Sequence, residues 1–131
     1  MLDSILISVA KRQGYCVNLA DLRNPPPIPM ADVVIMMGSL YHFHDILDEL
    51  VNNVMMSSPR FIISEPIKNL SSRDDIIGYI ARNSANAGHG EEIFRFNQKT
   101  LIEKLEKISN GRYDISYRLI GIEALVDIRR N

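Results

Sequence analysis

The 131-residue chain carries 15 Lys and Arg against 16 Asp and Glu, a formal net charge of −1, so bulk electrostatics give no pull toward nucleic acid or an anionic membrane. Its length suits one domain, residues 1–131, and 46% hydrophobic with 24% charged residues is ordinary for a soluble globular protein. No apolar run approaches the ~20 residues that span a bilayer, the start does not read as a signal peptide, and Cys16 has no second cysteine to pair with, so the expected location is cytoplasmic.

Residues 4–13 have helical spacing, with Ile5, Leu6, Val9 and Ala10 on one face and Ser4, Ser8, Lys11 and Arg12 on the other. Gly14 stops this helix, and Lys11 and Arg12 suit the negative end of its dipole. Residues 15–19 read as a short strand in which Cys16 is a buried, inert thiol. The prolines at 25, 26, 27 and 29 exclude a helix interior and predict an extended surface loop. Residues 33–37 are apolar without alternation, the pattern of a strand buried on both faces of a helix-covered parallel sheet. Gly38 to Asp45 would then lie at the carboxyl edge of that sheet, where open α/β folds bind ligands.

A helix follows over about 45–56, with Asp45, Asp48 and Glu49 at its amino end, and Pro59 breaks it. Residues 60–64 form a second buried strand ended by Glu65-Pro66. Ser71 and Ser72 mark the start of a helix over 72–84, and 83–92 is a polar loop containing Gly88-His89-Gly90. Asn97 caps a helix over 98–109, and 113–120 with 123–129 make an antiparallel pair joined at Gly121. Met30, Met36, Met37, Met55 and Met56 are expected to fill core gaps. The order α-β-β-α-β-α-α-β-β predicts an α/β fold: three layers, a mostly parallel sheet and a terminal antiparallel hairpin.

Taken in order, these landmarks resemble the class I S-adenosylmethionine-dependent methyltransferases. The residues that carry the resemblance are Ala20-Asp21-Leu22, Ala31-Asp32-Val33-Val34-Ile35, Gly38-Ser39-Leu40-Tyr41-His42-Phe43 with Asp45 behind it, and Phe61-Ile62-Ile63-Ser64-Glu65-Pro66. The resemblance implies S-adenosylmethionine (SAM) as cofactor, with Asp21 on the adenine amino group, Leu22 on the ring, and Gly38, Ser39 and Leu40 beside the cofactor. It implies a substrate pocket of Tyr41, His42, His44 and Glu65 with the loop bearing His89, and His42 is the first candidate for the base. Read from the residues themselves, Glu65 could serve as a catalytic carboxylate and Arg95 could grip an anionic substrate. An unperturbed imidazole titrates near pH ~6.5, which suits the base role. Glu65 bonding loop amides, and Arg95 lying between two core aromatics, are the plainer structural readings of those two residues.

The family's first strand, its glycine-rich turn, the helix after it and the second strand have no counterpart ahead of Asp3, so the chain reads as the carboxyl-terminal portion of that fold. In the family's sheet two strands separate 15–19 from 33–37. Their absence leaves three remedies: direct pairing of these two segments, a second copy supplying the missing contacts, or the missing segment being present in the native protein. The expectation is direct pairing with a homodimer covering the remaining apolar surface. Two functions stand on this reading. One is a methyltransferase-like protein acting on a small molecule or an unknown acceptor; the other is a non-catalytic module for oligomerisation or partner binding. No metal site is expected, because a turn histidine and a capping histidine account for His42 and His44.

Overall fold

The computed structural model describes residues 2–67 and 94–131. Its elements are α1 (Leu2–Arg12), β1 (Val34–Met37), a 3₁₀ turn (Leu40–Phe43), α2 (Leu47–Ser57), β2 (Arg60–Pro66), α3 (Gln98–Ser109), β3 (Tyr113–Ile120) and β4 (Glu123–Arg130). The expected helix over 72–84 and the loop bearing His89 lie outside the described residues. No described helix is long and apolar enough to cross a membrane.

The fold is α/β, and the described residues form a four-stranded sheet of order β1-β2-β4-β3. β1 runs parallel to β2, while β4 is antiparallel to both β2 and β3. Gly121, at a φ of 62°, makes the tight reversal between the last two strands. The register aligns Val34, Phe61, Ile128 and Ile115 in one row, and Met36, Ile63, Val126 and Tyr117 in the next.

Among the described residues, two helices cover this face. Leu47, Leu50, Val51, Val54 and Met55 of α2 and Leu101, Ile102, Leu105 and Ile108 of α3 form one core with Phe61, Ile63, Val126 and Ile128. The start of α3 is fixed by a reciprocal cap: Thr100 N–H donates to the Asn97 side chain at 2.8 Å, and Asn97 N–H donates to Thr100 Oγ1 at 3.1 Å. Its end is Asn110, in the left-handed region at a φ of 46°.

The amino-terminal third departs from the sequence reading. Residues 15–19 form no strand, and β1 pairs with β2 alone among the described residues. A strand needs a neighbour to take its N–H and C=O groups, and direct pairing with β1 does not occur. Cys16 is therefore exposed rather than buried. Among the described residues β1 is an edge strand: Ile35 is 60% and Met37 72% exposed, on the face opposite the one that α2 and α3 cover. The apolar face of α1 (Ile5, Leu6, Val9) is likewise exposed, as are Met30 and Met56. Of the methionines expected in the core, Met55 is buried and Met36 packs at its margin.

This asymmetry predicts how substitutions act. Phe61→Ala, emptying a fully buried site, should cost about 3–5 kcal/mol by urea unfolding. Ile35→Ala on the open side should stay within ~0.5 kcal/mol.

Candidate functional site

β1 ends at Met37, and Gly38 N–H donates to the Ser64 carbonyl at 2.7 Å. Gly38 takes a φ of +63°, a conformation that a side chain disfavours, and this swings the chain off the strand into the 3₁₀ turn. Such a turn starts with unpaired N–H groups. Glu65, fully buried near the end of β2, satisfies them: Leu40 N–H donates to Oε2 at 3.0 Å and Tyr41 N–H to Oε1 at 3.1 Å. Burial pushes the Glu65 carboxyl up to about 7, although the two amides and Arg95 pull the other way.

The segment around Arg95 packs on one side of this turn. The Arg95 guanidinium lies 3.8 Å from the centroid of the Tyr41 ring. Tyr41 in turn lies against His42, with ring centroids 4.0 Å apart. Phe94 stacks on His44 at 3.9 Å and meets Phe96 edge-on at 4.9 Å. Phe96 is buried, whereas Phe94 is partly exposed, so Arg95 does not sit between two core aromatics. Burial and then the Arg95 charge lower the His42 pKa, so the imidazole is neutral at pH 7. Lys104 Nζ donates to the His44 carbonyl.

Arg23 holds the other side. It donates to Asp45 Oδ2 at 2.8 Å, to Asp45 Oδ1 at 3.0 Å and to the His42 carbonyl at 2.7 Å. Its own N–H donates to Asp21 Oδ1 at 2.9 Å. The guanidinium holds Asp45 at about 2, well below the ordinary carboxylate range. Arg23 thus draws Asp21 and Leu22 toward the turn. The sequence reading did not single it out; its one available signal was an arginine directly after Asp21-Leu22.

The structure therefore gathers Gly38, Ser39, Tyr41, His42, His44, Glu65 and Arg95 around one turn, with Asp21 and Leu22 tied to it. Leu40 belongs there by its backbone only, since its side chain is fully buried in the core. His89 lies outside the described residues. Among the described residues, no three His, Cys, Asp or Glu side chains converge as metal ligands.

No protein-family model and no curated protein matches the sequence. Solved structures do. "PigF with SAH" matches with a TM-score of 0.65 at 14% identity, covering 98% of this chain and 45% of its own. An O-methyltransferase family protein from Burkholderia thailandensis gives 0.61 at 16%, covering 95% of this chain and 39% of that one. Human N-acetylserotonin methyltransferase in complex with SAM gives 0.59 at 16%, covering 87% and 33%. At such identities the likeness shows the fold alone: the chain folds like part of these methyltransferase structures and spans less than half the length of these solved chains.

The buried carboxylate makes a pH prediction. Glu65 titrates near 7 when folded and near 4.5 when unfolded, so the folded state holds the extra proton between these values. Stability should therefore fall as pH rises from ~5 to ~7.5, by roughly 3 kcal/mol, and level off above. His42, with its lowered pKa, contributes the opposite and smaller slope. Urea unfolding of the wild type and Glu65→Gln across this window isolates the carboxyl: the variant should lack the fall.

Proposed function

We propose that this chain is the acceptor-facing portion of a SAM-dependent methyltransferase that acts on a small molecule in the cytoplasm. The observation that carries this reading is the Glu65-anchored turn at the carboxyl edge of β1 and β2. It sets Tyr41 and His42 on one side and, through Arg23, Asp21 and Leu22 on the other. The methyltransferase-like fold supports it.

His42 is the base in this reading. A neutral imidazole at pH 7 takes a proton from an acceptor hydroxyl or amine. Arg95 and Tyr41 form a flat cationic wall for the acceptor, and His44 stacked on Phe94 extends it. Both Glu65 oxygens are engaged by backbone amides, so Glu65 is a positioning residue. Asp21 and Leu22 suit the adenine end of SAM, and Gly38-Ser39 suits close backbone approach. Among the described residues nothing comparable suits the ribose or the amino-acid carboxylate. The set fits one end of the cofactor, and no step is assigned through it.

A non-catalytic binding module is the second reading, favoured by the exposed apolar residues between Ile5 and Met37. Amide NMR during titration separates the two. S-adenosylhomocysteine and adenosine should bind equally weakly, with Kd above ~1 mM, and should shift the amides of Asp21, Leu22, Gly38, Ser39 and Leu40. Perturbation elsewhere, or none at these five, would favour the module. Submillimolar binding of S-adenosylhomocysteine alone would show that the chain holds the whole cofactor.

A further inference from the structure

Among the described residues two arginines are half-buried, Arg60 and Arg95. Arg60 uses its planar fork on a carboxylate, donating from Nε to Asp127 Oδ1 at 2.9 Å and from Nη2 to Oδ2 at 2.8 Å. Arg95 has no such partner. Among the described residues its guanidinium makes no hydrogen bond and no ion pair, and it is held by the face of the Tyr41 ring at 3.8 Å. A guanidinium carries five N–H donors, and donors left unmet in a half-buried place are costly.

The place of this fork gives it a use. Tyr41 carries Arg95 at 3.8 Å and the candidate base His42 at 4.0 Å, so one ring positions both groups. Glu65 attracts Arg95 without binding it: both Glu65 oxygens accept the Leu40 and Tyr41 amides, and no ion pair joins the two side chains. Stacking on Tyr41 occupies the face of the guanidinium and leaves the N–H groups at its rim. Those rim donors match the two oxygens of a carboxylate in number and spacing.

We propose that the acceptor held at this turn is an aromatic carboxylic acid, its carboxylate paired in a two-point fork with Arg95. The inference rests on the reading of the turn as an acceptor site and adds the acceptor's chemical class. A carboxylate fits better than a phosphate ester. Glu65 is a second acidic group within electrostatic reach of Arg95, and a dianion meets more repulsion from it than a monoanion does. An aromatic body fits better than an aliphatic one, because the surfaces beside the fork are the Tyr41 and His42 rings. The carboxylate is an anchor and not the group that His42 deprotonates, since it carries no proton at neutral pH.

The probe is benzoate, titrated into the full chain by NMR, with benzamide as its neutral isostere and phenyl phosphate as the dianion. Benzoate should saturate with a Kd below ~10 mM and shift the Arg95 Nε–H resonance. Benzamide should bind at least ~10-fold more weakly. Arg95→Lys should weaken benzoate binding at least ~10-fold with circular dichroism and urea midpoint matching wild type, because an ammonium keeps the charge without the fork. Four results would overturn the proposal. Equal affinity for benzoate and benzamide removes the acid anchor. Tighter binding of phenyl phosphate assigns the fork to a phosphate group. Full benzoate affinity in Arg95→Lys shows that a point charge is enough. An Arg95 Nε–H already protected from exchange in the free chain, and unmoved by benzoate, shows that the chain's own groups hold the fork. The methyl-transfer reading fails separately, on the amide shifts with S-adenosylhomocysteine, which no benzoate result alters.

Discussion

One buried carboxylate organises the candidate site. Glu65 has no exposed surface, yet both its oxygens accept N–H groups from the first residues of the turn after β1. This couples the ends of two parallel strands: β1 delivers the turn, and β2 delivers the acceptor that holds it. Without the carboxylate, two amides beside the core would lose their partners, at about 1–3 kcal/mol each. The geometry of Tyr41, His42 and Arg95 rests on that coupling, because Tyr41 supplies both a bonded amide and the ring on which Arg95 lies. The same burial that makes Glu65 an anchor pushes its pKa up to about 7, so the anchor is also titratable near neutrality.

The chain is uneven in what it buries. From Leu40 onward, β2, β4, α2 and α3 share a dense core on one face of the sheet. Before Leu40, only Leu22, Ile28, Val34 and Met36 reach that core, and only at its margin. Arg23 is the principal polar tie between the two parts, through Asp45 and the His42 carbonyl. Both Arg23 and Asp45 are about half exposed, so this pair directs geometry more than it adds stability.

Most of the carboxyl-terminal architecture was legible in the sequence, because its signals are local. Asn97 and Thr100 cap α3, Gly121 makes the hairpin, and the helical stripes of α2 and α3 are the faces that pack. The site turn was legible too, from Gly38-Ser39 at the end of an apolar run. The errors share one cause. An apolar run at 33–37 and a strand-like 15–19 state a preference for burial and pairing, but neither states whether a partner is present. Among the described residues none is: the run is an exposed edge, the other segment makes no strand, and Cys16 and Met37 face solvent. Arg23 was missed for a related reason: its partner Asp45 is 22 residues away, and nothing local marks the pair.

The most direct test of this account is amide hydrogen exchange at Leu40 and Tyr41, compared between wild type and Glu65→Ala at pH 8. Both amides should be strongly protected in the wild type. In the variant protection should be lost at these two positions first, while Leu101 and Leu105 of α3 keep theirs. Equal protection of Leu40 and Tyr41 in both proteins would contradict it, showing that the turn is held by packing and not by the carboxylate.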